Sequence, residues 1–117
     1  MTNTVHRVPD IAKLEELESE HGADPKKKTV VKWCASWCAP CRQIGPTYAE
    51  WAARFPELTF CSIDVDEVPE GSERYKISAM PTFHFWYGGR ILWQIVGADS
   101  TKILAKIAAL QAVQEDA

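Results

Sequence analysis

Hydrophobic and polar positions in the first part of the chain follow first the period of a helix and then that of a strand. Apolar residues recur at helical spacing after Asp10, and a run rich in β-branched and aromatic residues, TVVKWCA, starts at Thr29. The first pattern predicts a helix that begins at an Asp10 cap and ends near Gly22 and Pro25. The second predicts a strand buried on both faces. Residues 5–8 are expected to be extended.

The middle of the chain repeats this alternation. Residues 39–54 carry an apolar stripe at helical spacing, interrupted by Pro46, which predicts a kinked helix. Residues 58–65 read LTFCSIDV and are typical of a strand. Residues 66–75, bracketed by Pro69 and Gly71, predict a short or irregular helix.

The last third predicts a hairpin followed by a helix. Two apolar segments, residues 83–87 and 91–96, are joined through Gly88 and Gly89, a pair suited to the positive backbone angles of a tight turn. Asp99 or Ser100 is expected to cap a final amphipathic helix. Together these elements predict an α/β fold with a mixed sheet covered on both sides.

Composition restricts the class of protein. The chain has 117 residues, 46% hydrophobic and 25% charged, which predicts one soluble domain spanning residues 1–117. A formal charge of −3 offers no basic surface, so neither nucleic acid nor an anionic membrane is an expected partner. The first ten residues do not resemble a secretory leader, and four scattered cysteines do not suggest a secreted disulfide framework. We therefore expect a cytoplasmic protein.

The motif WCAPC, residues 37–41, places two cysteines at the expected start of the second helix. A structural zinc site normally needs four ligands, and only Cys34 lies near Cys38 and Cys41 in the sequence. These three cysteines have a spacing that also occurs in iron–sulfur proteins, although Cys34 falls within a predicted strand. A purely structural disulfide would close a very short loop and contribute little chain entropy.

A redox-active pair explains more of the motif. A sulfur in the first turn of a helix is close to the positive end of the helix dipole and to free amide groups, which favour its thiolate form. This makes Cys38 the candidate nucleophile. Cys41, one turn further on, is placed to attack a mixed disulfide and release the product. Pro40 stiffens the turn without removing a needed hydrogen bond.

With these residues in view, the chain resembles the thioredoxin family over nearly its whole length. The matching residues occur in the family's order and spacing; they are Trp37, Cys38, Ala39, Pro40, Cys41, Arg42, Pro46, Met80, Pro81, Thr82, Gly88, Gly89, Gly97 and Ala98. The resemblance implies the thioredoxin fold, a mixed sheet of five strands flanked by four helices, with a dithiol–disulfide exchange site. It further implies a disulfide reductase with no bound cofactor.

The resemblance also implies how clients bind. Pro81 would follow a cis peptide bond and leave the backbone of Met80 free to pair with an extended client segment. Trp37, Met80, Gly97 and Ala98 would form an apolar collar around the sulfur of Cys38. Disulfide-containing proteins are the implied partners of a monomer. Electrons would come from a small dithiol or from NADPH through a flavoprotein reductase.

Two positions depart from the family. Ala39 replaces the usual glycine, in a segment that sets redox behaviour together with Trp37, Pro40 and Pro81. Lys32 replaces a buried aspartate that normally exchanges a proton with the second cysteine, and Ser62 replaces a nearby lysine.

The lysine suggests a more oxidising couple. A charged lysine about 6 Å from a cysteine sulfur would favour the thiolate by about 3 kcal/mol in an effective dielectric of about 20. Lys32 is therefore predicted to stabilise the reduced protein. The alternative is that Lys32 reaches solvent or pairs with an acid and leaves the sulfurs unaffected.

Other functions and residues remain open at this point. The main rival is a binding module that keeps the fold but turns over little, because its usual proton acceptor is missing. Cys34 and Cys61 are most simply core residues; the alternative for Cys34 is that it traps Cys38 in a disulfide. His84 is expected to pack in the sheet. Asp64 and Asp66 are expected either to assist proton transfer or to cap the next helix.

Overall fold

The elements observed in the chain follow the predicted alternation closely. The computed structural model describes residues 2–114. In chain order its elements are β1 Val5–Arg7, α1 Ile11–Ala23, β2 Lys28–Cys34, α2 Ala39–Arg54, β3 Thr59–Asp64, α3 Pro69–Arg74, β4 Thr82–Tyr87, β5 Arg90–Val96 and α4 Ser100–Ala112. Asp10 caps α1, and Asp99 rather than Ser100 caps α4, each by accepting a backbone N–H three residues on.

The sheet is mixed, with strand order β1-β3-β2-β4-β5. β3 runs parallel to both β1 and β2, whereas β4 is antiparallel to β2 and to β5. β2 is therefore the central strand, and five of its seven residues are buried. This confirms the prediction of a mixed five-stranded sheet with four helices, and it puts the carboxyl ends of β2 and β3 side by side.

The two faces of the sheet carry separate hydrophobic cores. Tyr48 and Trp51 from α2 and Ile103 and Ile107 from α4 pack on one face. On the opposite face, Leu14 and Leu17 of α1 pack with Val31 and Trp33 of β2. Because side chains alternate along a strand, Val30, Lys32 and Cys34 share the α2 side of β2.

A hydrogen bond from a tyrosine fixes α2 against the sheet. The buried Tyr48 hydroxyl lies 3.0 Å from the Val30 carbonyl and 2.8 Å from the Cys61 carbonyl, and so bridges β2 and β3. Burial raises the pKa of Tyr48, so the hydroxyl stays protonated and donates. The middle of α2 is thereby held against β2 and β3.

Helix α4 is tied to the sheet by a lysine that lies just before the strand predicted from Thr29. Lys28 instead begins β2, and its ammonium donates to the carbonyls of Gln111 and Val113, both at 2.7 Å. Free carbonyls at a helix end are stabilised by a cation in this way.

Candidate active site

The WCAPC motif forms the turn from β2 into α2. Cys38 is the N-cap residue of α2, and Ala39 and Pro40 occupy its first two positions. The Cys38 sulfur accepts the backbone N–H of Cys41 at 3.3 Å, so the sulfur replaces the side-chain oxygen of an ordinary cap. In the structure Cys38 and Cys41 form a disulfide, with their Cα atoms 5.3 Å apart. The sequence thus places both sulfurs in the first turn of the helix, as predicted.

The loop before β4 faces this disulfide. The Met80–Pro81 peptide bond is cis, which confirms what the family resemblance implied. The Met80 carbonyl oxygen lies 3.6 Å from the Cys38 sulfur. The Thr82 hydroxyl donates to the Ala79 carbonyl at 2.6 Å and restrains the loop.

Apolar surface surrounds the exposed side of the pair. Trp37 is 65% exposed, Met80 is half-buried and Ala98 is exposed. Gly97, at a φ of +101°, donates its N–H to the Pro81 carbonyl at 2.8 Å, which joins this loop to the end of β5. Met80 thus lies beside Cys38, which is itself only 5% exposed, and its loop is bonded to the segment that carries Gly97 and Ala98.

Two further residues belong to this surface, and the sequence pointed to neither role. Asp66 accepts a hydrogen bond from the indole N–H of Trp37 at 2.9 Å and orients the ring. Val96, at the end of β5 beside Gly97, is 56% exposed. The signal in the sequence that could have identified Val96 as part of this surface was its position as an apolar residue at the end of a strand.

Lys32 lies on the side of the disulfide that faces the protein interior. It is 8% exposed, and its ammonium nitrogen lies 4.9 Å from the centroid of the Tyr48 ring, in a cation–π contact. Among residues 2–114 it forms no ion pair with a carboxylate. Burial lowers the pKa of Lys32, and attraction to a Cys34 thiolate opposes that change.

A shallow, open pocket of about 250 Å³ lies beside Lys32 and Cys41. Its lining includes Lys32, Cys34, Cys41, Arg42 and Asp64. Lys32 therefore lines the same pocket as Cys41 and the carboxylate of Asp64.

The two remaining cysteines differ from each other. Cys61 is buried, and burial raises its pKa to about 12, in agreement with a core residue. Cys34 is only half-buried and lines the cavity, so the expectation of a simple core residue is wrong for it. The reason is its place at the last residue of β2, where the strand leaves the packed sheet.

His84 packs in the sheet, as predicted. It is 2% exposed; its Nδ1 accepts from the Trp33 indole at 3.1 Å and its Nε2 bonds Gln94 at 2.9 Å. Burial lowers its pKa.

Within the described range, 2–114, no group of three metal-ligating side chains is arranged to hold an ion. No helix described there is both long and apolar enough to cross a membrane.

Comparison with known proteins agrees with this geometry. The family model described as Thioredoxin matches residues 12–109. An H-type thioredoxin from Picea mariana is 39% identical across 80% of this chain and 74% of its own length. Thioredoxin-2 from Pyricularia oryzae is 37% identical across 91% of this chain but only 59% of its own length.

Solved structures give the same result in three dimensions. A wild-type thioredoxin h from poplar superposes with a TM-score of 0.87 at 34% identity and covers 95% of this chain and 99% of its own. The thioredoxin of Fasciola hepatica has a TM-score of 0.83 at 34% identity, over 91% of this chain and 99% of its own. On this evidence the chain belongs to the thioredoxin family.

Proposed function

We propose that this protein reduces disulfides in client proteins through Cys38 and Cys41. Thiol–disulfide exchange is the activity of its family, and the reductive direction is our inference. The observation that carries it is the placement of the Cys38 sulfur, at the N-terminus of α2 and 3.6 Å from the Met80 carbonyl beside a cis proline. No bound cofactor takes part in this exchange.

The reaction proceeds in two displacements. The Cys38 thiolate attacks one sulfur of a client disulfide, forms a mixed disulfide and releases the other client sulfur as a thiolate, which takes a proton from water. Cys41 then loses its proton and attacks the Cys38 sulfur. The bond between Cys38 and the client breaks, the client leaves with two thiols, and the protein is left with its Cys38–Cys41 disulfide.

The client is held mainly through its backbone. The cis bond before Pro81 presents the backbone of Met80 at the open edge of the loop, where an extended segment can pair with it. Trp37 and Val96 provide exposed apolar surface on either side. Recognition of this kind suits many clients, because it reads few side chains.

Lys32 makes the couple more oxidising than it would be without the cation. Its ammonium shares a cavity with Cys41, and no carboxylate among the described residues neutralises it by direct pairing. A cation near the sulfurs stabilises a thiolate more than a neutral disulfide. The redox potential also depends on the conformation of the turn, which is fixed by Trp37, Ala39, Pro40 and Pro81.

The proposal extends to electron supply and compartment. Electrons are proposed to return from NADPH through a thioredoxin reductase, or from a small dithiol, to the Cys38–Cys41 disulfide. The similarity to H-type thioredoxins supports a cytoplasmic location.

Insulin reduction with dithiothreitol as electron donor tests the proposal. The wild type and Cys61→Ser should accelerate reduction equally, since Cys61 is buried away from the site. Cys38→Ser should lose the acceleration altogether. If wild type and Cys38→Ser gave the same rate, the chain would be a binding module rather than a reductase.

A further inference from the structure

A third cysteine, Cys34, lines the pocket beside Cys41. Cys34, a free thiol at the end of β2, lines this cavity together with Cys41, whereas Cys38 is not part of the lining. Cys34 also packs against the small cluster formed by Ala35, Cys38 and Cys41. Of the two disulfide-bonded cysteines, the one that lines this pocket together with Cys34 is therefore Cys41.

The contacts of Cys34 leave it able to react. Its sulfur lies 3.5 Å from the Ser62 hydroxyl and 3.5 Å from the Ile63 carbonyl, long contacts typical of a weakly bound thiol. It is half-buried, so solvent reaches it. Cys61, by contrast, is buried, and its raised pKa keeps it protonated at neutral pH.

Charged side chains line the pocket beside Cys34. Lys32 and Arg42 supply two cations, and Asp64 supplies a carboxylate whose Oδ1 already accepts the backbone N–H of Asp66 at 2.8 Å. Lys32 and Cys34 are two residues apart on the same side of β2. A cation close to a partly exposed cysteine is the usual setting of a reactive thiol.

We propose that Cys34 is an internal redox partner of Cys41 and exchanges with Cys38 for the bond to it. The Cys34 thiol gives its proton to water in the cavity, and its thiolate attacks the Cys41 sulfur. A Cys34–Cys41 bond forms, the Cys38–Cys41 bond breaks, and the electron pair leaves on the Cys38 sulfur. The step is an isomerisation and consumes no oxidant or reductant.

The leaving sulfur is well placed to carry the charge. Cys38 caps α2, so its thiolate faces the positive end of the helix. The isomer has a free nucleophile at Cys38 and no free thiol at Cys41. This isomer therefore captures clients on Cys38 but does not release them through Cys41, an inference that rests on the proposed function.

Alkylation of the oxidised protein tests the exchange directly. Fully oxidised wild type, free of reductant, is incubated with iodoacetamide at pH 8, which removes any Cys38 thiolate irreversibly. Chymotrypsin then cleaves after Trp37 and separates Cys34 from Cys38 and Cys41. We expect carbamidomethyl label on Cys38, with the fragments that contain Cys34 and Cys41 still linked by a disulfide.

Matched variants separate this route from others. Cys34→Ser should reduce Cys38 labelling at least tenfold, whereas Cys61→Ser should label like wild type, and the rate should not depend on protein concentration. Label on Cys34 with the Cys38–Cys41 bond intact would overturn the proposal, as would equal labelling of Cys38 in Cys34→Ser. Neither result depends on insulin reduction, so the proposed reductase activity stands or fails separately.

Discussion

Lys32 and Cys41 line the same pocket, and we propose that the ammonium group of Lys32 shifts the balance between the two redox states. A unit charge about 6 Å away in an effective dielectric of about 20 contributes about 3 kcal/mol. For a two-electron couple, about 1.4 kcal/mol corresponds to about 30 mV. We expect Lys32→Met to make the potential more negative by tens of millivolts, measured by equilibration with glutathione.

Lys106→Met is the matched control for this measurement. Lys106 also rests on an aromatic ring, with its ammonium nitrogen 4.6 Å from the centroid of Trp93, but it belongs to α4 rather than to the cavity. Its replacement should leave the potential unchanged. A Lys32→Met potential equal to that of wild type, or more positive, would show that the lysine does not stabilise the reduced form.

Single residues also show how far sequence reasoning reaches at the site. Cys38 and Cys41 were placed correctly at the start of α2, because a helix start follows from local chemistry, whereas the cis bond before Pro81 was known only from the family resemblance. The surroundings of Lys32 and Cys34 were not predicted. They depend on how β2, β3 and α2 pack together, and one strand's pattern of burial does not contain that information.

At the scale of elements, the β4–β5 hairpin depends on the glycine at its turn. Gly88 has a φ of +60°, and a Cβ there would lie 2.9 Å from the Pro25 carbonyl oxygen. Its N–H also donates to the Lys27 carbonyl at 2.8 Å, so the turn has little room to move. We expect Gly88→Ala to lower the free energy of unfolding by about 2 kcal/mol, measured with denaturant.

The neighbouring glycine supplies the comparison. A Cβ on Gly89 would meet nothing within 4 Å, and the backbone there is not in the left-handed region. Gly89→Ala should therefore change the free energy of unfolding by about 0.5 kcal/mol or less. Equal losses in the two variants would mean that the close approach to Pro25 does not limit the turn.

The type of each element could be predicted from the sequence, because the spacing of buried apolar residues differs between helices and strands. The apolar stripe of α2 reflects one packed face, and the continuous apolar run of β4, which is buried throughout, reflects two packed faces. The ends of elements were harder to predict: β2 begins at Lys28 rather than Thr29, because Lys28 pairs with Tyr87 of β4, and the Lys28 side chain also bonds the end of α4. Such a contact joins residues more than 80 apart in the sequence.

For the whole molecule, stability depends on two histidines that are buried without charge. His21 bonds the Gly88 carbonyl through Nδ1 and the Thr29 hydroxyl through Nε2, and His84 accepts from Trp33 and bonds Gln94. Burial is the main cause that lowers the pKa of each below its usual value. The folded protein therefore resists protonation at both sites, on the side of the sheet that carries α1.

This arrangement makes the free energy of unfolding depend on pH. As pH falls below about 6.5, these histidines bind protons in the unfolded chain but remain neutral in the folded chain. The free energy of unfolding therefore falls with pH until the pH has passed the lowered pKa values of the folded state. His84→Gln keeps an acceptor for Trp33 but cannot titrate. Between pH 7.5 and 5.5 it should lose less stability than wild type in denaturant unfolding, whereas His6→Gln, on an exposed residue, should match wild type. If His84→Gln and wild type lost the same stability over that interval, protonation of buried His84 would not contribute to acid destabilisation.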